Sequence, residues 1–291
     1  MKKFEIKRIK SLAVMFAGFT TIFYTYSCIE DVPDDILPKA EPKLVVESFI
    51  SPNDTIRVRI CKSLPINYNY YLTSDDQYNE FPPLRDASVS IRNTHTGDPV
   101  SIPYDSLSGF YVLYPSQFSV EKGQEYELKV NHTELGETIA RTRVPSSTPD
   151  LLSVKIDTVE VHTYEGVETD YDLVISGIIK DTGGEKNFYR IIFTFYYCYE
   201  YDYVYCYTDM VEKLISDTGS DGQELPFTLY IYGYSWQYYK VKILSTDINY
   251  YHFHRTLENW SEGNPFVEPT PVYSNIEGGL GIFGSYLEVA F

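Results

Sequence analysis

Short-period alternation is the feature that most restricts this chain. From residue 43 onward, brief runs switch between apolar and polar side chains at period two, and turn residues separate them. Thr55–Lys62 sets Ile56, Val58 and Ile60 against Arg57, Arg59 and Lys62, the signature of a half-buried strand. Lys43–Ile50, Ala87–Arg92, Val100–Ile102, Gly109–Tyr114, Glu125–Asn131 and Glu137–Val144 read the same way. Ser51-Pro52-Asn53-Asp54, Thr96-Gly97-Asp98 and Gly136 supply the turns between them. Short strands at this spacing predict an all-β chain, built first as an antiparallel sandwich over residues 43–145.

Pro145-Ser146-Ser147-Thr148-Pro149 marks the strongest break, and a second β domain is expected over 150–291. Its strands are read at Leu151–Val161, Tyr171–Lys180, Asn187–Cys198, Tyr203–Thr208, Phe227–Tyr232, Tyr239–Ser245 and Ser285–Phe291. Asn67–Phe81 is polar, Tyr-rich and aperiodic, which predicts a long loop. One helix interrupts the strands near the C-terminus. Tyr250, Phe253, Leu257 and Trp260 recur at helical spacing, Asp247 precedes them as an N-cap, and Gly263 with Pro265 ends the run.

Tyrosine is the most unusual part of the composition, with 29 residues. The segment from Tyr196 to Tyr207 places Tyr on both faces of a candidate hairpin, and Tyr230, Tyr232, Tyr234, Trp236, Tyr238 and Tyr239 add to it. Tyr can be half buried with its hydroxyl wet. Two readings stay open: a sheet that uses Tyr where others use Val or Thr, or an aromatic contact surface centred on Tyr199, Tyr201, Tyr203, Tyr234 and Trp236.

The first residues carry an address. Lys2, Lys3, Lys7, Arg8 and Lys10 precede an apolar run from Leu12 to about Phe23, and Ser27 and Cys28 follow. That is the layout of a secretory signal over residues 1–27. A membrane anchor is the alternative, but the run falls short of the roughly 20 residues a bilayer requires. Residues 28–42 then read as an acidic, proline-containing tether with Glu30, Asp31, Asp34 and Asp35. Fully extended it would reach about 40 Å. The signal takes with it five of the 24 Lys/Arg and one of the 41 acids, leaving a formal charge near −21 in place of −17. Such a charge excludes nucleic acid as a partner.

Few residues suggest chemistry. Cys61, Cys198 and Cys206 remain beyond Cys28, an odd number, and Cys198 with Cys206 flanks the candidate hairpin as a candidate disulfide. His252 and His254 lie about 200° apart on the expected helix and cannot share one ion. No Gly-x-Ser-x-Gly, His-Glu-x-x-His or phosphate loop occurs. The chain is therefore read as a non-enzyme without cofactor, metal or catalytic residues.

Three resemblances extend this reading. Cys28 at the end of its apolar run resembles the lipobox of bacterial lipoproteins, with Thr25 and Tyr26 in place of the usual lead-in. That resemblance implies lipidation at Cys28 and an anchor in outer-membrane lipid. The acids after it resemble the surface-export signal of lipoproteins in the Bacteroidota, which implies exposure to the cell exterior. Asn264-Pro265-Phe266-Val267-Glu268-Pro269-Thr270-Pro271-Val272-Tyr273-Ser274-Asn275-Ile276-Glu277-Gly278-Gly279-Leu280-Gly281-Ile282-Phe283-Gly284, with the early strand Leu44–Ile50 and the helix before Asn264, is similar to a Bacteroidota lipoprotein family known as domain of unknown function 4249. The family implies an immunoglobulin- or transthyretin-like N-terminal sandwich, a second β domain, and an accessory role beside a TonB-dependent outer-membrane receptor in nutrient or metal-chelate uptake. Gly278 and Gly279 would then be either a tight structural turn or a contact with that receptor. The competing expectation is an adhesin-like or structural surface lipoprotein that binds glycan or protein through its Tyr-rich face.

Overall fold

A computed structural model describes residues 41–64, 82–164, 167–200, 204–234, 238–258 and 271–289. The signal, residues 28–40 of the tether, the Asn67–Phe81 segment and Trp260 lie outside them. In the first half the strands are β1 (Leu44–Ile50), β2 (Ile56–Lys62), β3 (Ser88–Asn93), β4 (Val100–Ser101), β5 (Tyr104–Asp105), β6 (Phe110–Leu113), β7 (Glu125–His132) and β8 (Gly136–Arg143). In the second half they are β9 (Asp150–Tyr164), β10 (Val167–Lys180), β11 (Phe188–Glu200), β12 (Val204–Ser216), β13 (Glu224–Tyr234), β14 (Tyr238–Thr246) and β15 (Leu280–Val289). Helix α1 (Ile248–Glu258) precedes the last strand. The described residues are thus mainly β, with one short helix near the C-terminus.

The alternation read in the sequence is what buries these strands. In β1, Leu44, Val46, Ser48 and Ile50 face inward, and in β2 Ile56, Val58 and Ile60 do so while Arg57 stays exposed. The strands assemble into three sheets. Eight run in the order β12-β11-β14-β15-β1-β2-β6-β5, four in the order β4-β3-β7-β8, and three in the order β13-β10-β9. Strands from both sides of the 145–149 segment therefore share the long sheet. The described residues from 42 onward form one compact unit.

Two cores result. The first gathers Leu44, Val58, Ile91, Tyr126 and Leu128 with Ile276, Phe283 and Leu287 from the end of the chain. The second joins Ile175, Phe227 and Leu229 to Tyr189, Ile191, Phe193 and Ile243.

The join between the halves is parallel, which antiparallel alternation does not announce. β15 pairs with β1 in the same direction, Val46 opposite Gly281, and with β14 antiparallel on its other side. Gly281 makes this possible. Its φ is 110°, and a Cβ there would meet the Val46 carbonyl oxygen at 2.0 Å. Only glycine fits so close an approach.

Helix α1 starts as its cap predicts. Asp247 accepts from the amides of Asn249 and Tyr250, and from Ser285 on β15. Its inward face keeps Tyr250 from the expected set and departs from it at Leu257. Tyr250 and Tyr251 are buried, whereas Leu257 is 40% exposed. From this face Tyr250 and His254 meet Arg190 on β11.

Candidate functional site

Two residues of the expected aromatic surface lie on described strands of the second half. Tyr199 lies in β11 at the register position opposite Tyr205 of β12, and Tyr234 ends β13 opposite Tyr171 of β10. Tyr201, Tyr203 and Trp236 lie outside the described residues. Among the described aromatic side chains nearby, Phe193 stacks on Tyr239 at 5.4 Å, while Tyr196 and Tyr230 keep 39% and 55% of their surface exposed. Tyrosine thus serves both packing and surface on these strands. On the cysteines, Cys206 is disulfide-bonded, Cys198 is its register partner across β11 and β12, and Cys61 is buried.

Gly278 and Gly279 are brought against the chain itself. Gly278 has φ 79°, and a Cβ there would stand 2.8 Å from the Glu137 carbonyl oxygen. A Cβ on Gly279 would meet the Thr138 methyl at 2.7 Å and the Leu44 carbonyl oxygen at 2.8 Å. Both glycines let the entry to β15 press onto β8 and β1.

A group the sequence reading did not single out joins two turns. Asp181 follows β10, and Asp217 and Asp221 follow β12. One ligand atom from each lies within 4.8 Å of the others, and Asp181 and Asp217 are buried. Oxygens at that spacing suit a hard divalent cation. The protein also supplies donors to each. The Tyr189 hydroxyl and the Gly222 amide donate to Asp181, the Asn187 amide to Asp217, and the Gly184 amide to Asp221. Burial, then the adjoining Asp181 carboxylate, pushes the Tyr189 phenol well above its ordinary range, so it remains a donor. The turn Asp217-Thr218-Gly219-Ser220-Asp221-Gly222 was the available signal for this cluster.

Helix α1 brings a second polar group inward. Arg190 reaches Glu212 on β12, the Tyr250 hydroxyl and His254 Nε2, the last at 3.0 Å. A guanidinium has only donors, so Nε2 accepts and the His254 ring is neutral. Burial first, and Arg190 second, press its pKa down to about 3. His252 turns elsewhere, 5.4 Å from the Tyr273 ring, so the two histidines do not converge.

One cleft lies at the N-terminus of α1, with a volume near 380 Å³. Arg141, Arg143, Lys186, Glu125, Glu185 and Asp247 line it. Cationic and anionic residues are equal in number there. Arg141 is held by Glu127 at 2.7 Å, and Glu185 accepts from Ser146 at 3.0 Å. Charged side chains of both signs therefore line it, and two of them are already engaged.

Comparison with known proteins matches residues 29–290 to a family model described as Domain of unknown function (DUF4249). No curated protein matches the chain.

Proposed function

The chain belongs to the family described as Domain of unknown function (DUF4249), and on that premise we propose that it is a surface-exposed outer-membrane lipoprotein assisting a TonB-dependent transporter in nutrient or metal-chelate uptake. In this reading it captures substrate or caps the receptor. The observation that carries it is the extent of the family match. It begins at residue 29, directly after the lipobox-like Cys28, and takes in the rest of the chain to residue 290. The acidic stretch after Cys28 and the negative charge of the remaining chain support a body held off an anionic lipid surface.

The exposed Tyr196 and Tyr230 favour a second reading. There the β11–β12 and β13 region is the contact surface of an adhesin-like lipoprotein for glycan or protein.

Affinity capture through a C-terminal tag, after mild solubilisation of membranes, distinguishes them by mass spectrometry. The transporter reading expects a large barrel protein in the eluate, and a Cys28→Ala variant should lose both fatty-acid labelling and that partner. Recovery from intact membranes without any barrel protein counts against it.

A further inference from the structure

The three-stranded sheet ends on β9, and among the described residues β9 pairs only with β10. Between two register breaks, at Ile178/Ile179 and Asp172/Leu173, Ser153–Thr158 forms an unbroken ladder with β10. Its outer edge is long enough to accept another strand, and such edges are usually blunted by charge. Here the charges are paired. Lys155 Nζ stands 2.7 Å from Asp157, and both side chains are solvent-facing, at 72% and 43% exposure. Val154 is 37% exposed, while Ile156 packs against the second core.

We propose that this edge pairs with the same edge of a second copy, antiparallel and centred on Ile156, joining the two three-stranded sheets across a twofold axis. A twofold perpendicular to the sheet requires facing residues to share a parity, because side chains alternate sides. The central choices are therefore residue 155 on itself, 156 on itself, or 157 on itself. The first sets lysine against lysine. The last sets aspartate against aspartate, and like charges directly opposite are unfavourable. Centring on Ile156 places Lys155 of each copy opposite Asp157 of the other, twice. The four charges then alternate in sign around the axis, with Ile156 facing Ile156 on the core side. The edge is complementary to itself in this register and opposed in its two neighbours.

Sedimentation equilibrium of the full chain in mild detergent tests this. The unaltered protein should show a monomer–dimer equilibrium. Lys155→Glu and Asp157→Lys should each weaken the dimer by about tenfold or more, since each creates two like-charge contacts. An equimolar mixture of the two variants should restore it. In the mixed dimer the introduced carboxylate of one copy faces the introduced ammonium of the other, and the retained Asp157 faces the retained Lys155 across the axis. Far-ultraviolet circular dichroism confirms that both variants are folded. A wild-type chain that stays monomeric at every concentration, a dimer indifferent to both substitutions, or a mixture that fails to recombine overturns the proposal.

Discussion

Arg190 keeps 8% of its surface exposed, so its charge is held by neighbours in place of water. Glu212, Tyr250 and His254 do this from one strand and one helix, and removing any one would leave a buried charge under-satisfied. His254 carries a consequence for pH. Its folded pKa lies near 3, below the ordinary 6.5, because burial and Arg190 both resist a second cation. The unfolded chain therefore binds a proton first as pH falls. The stability this group contributes is complete above about 6.5 and is lost progressively down to about 3. His254→Gln keeps an acceptor for Arg190 and removes the titration. Between about pH 7 and pH 4 the variant should lose about 3 kcal/mol less unfolding free energy than the wild type in urea titrations. Asp247 and Glu258, whose pKa values burial raises, titrate in both proteins and cancel in the difference. Parallel curves would remove His254 from the account. At this scale the sequence was partly legible. Asp247 could be read as a cap from its place before an amphipathic run. Arg190 could not, because its partners lie 22, 60 and 64 positions away.

Strands were legible where burial alternates and less so where both sides are covered or polar. β1 and β2 fell within a residue of their readings. β12 runs eight residues beyond the expected Thr208, through Asp-Met-Val-Glu-Lys-Leu-Ile-Ser, because an edge strand tolerates charge that a central one does not. β15 begins five residues before Ser285, since its glycines looked like a turn while Gly281 in fact allows the close parallel pairing with β1. The long hairpin of β11 and β12 carries its own test. Cys206 is disulfide-bonded, and Cys198 stands directly across the ladder. Cys198→Ser should free Cys206 for maleimide labelling without reductant. Closing so short a loop contributes about 2 kcal/mol, and the urea midpoint should fall accordingly. Labelling of Cys206 in the unreduced wild type would contradict the pairing.

At the scale of the molecule, the two cores lean on one sheet. β15 lies between β14 and β1, so neither half has a complete sheet without the other. The proline-rich 145–149 segment was readable as a break in the chain, but the return of the last strand was not, because pairing over that separation leaves no local pattern. Cooperative unfolding follows. Ile91→Ala in the first core and Phe193→Ala in the second should each cost about 3 kcal/mol and shift one shared calorimetric transition. Two transitions, each moved by only one substitution, would mean that the sheet does not couple the cores.

The seam at β15 also sets an order of events. Ile276, Phe283 and Leu287 complete a core whose other members begin at Leu44. A chain threaded N-terminus first through a secretion channel would emerge with β1 lacking its neighbour until nearly the last residue is free. Contacts over such separations form slowly, and the unpaired strand is open to aggregation in the interval. The first half would then mature only after release of the whole chain, and a holding chaperone would have most to protect at the exposed edge of β1.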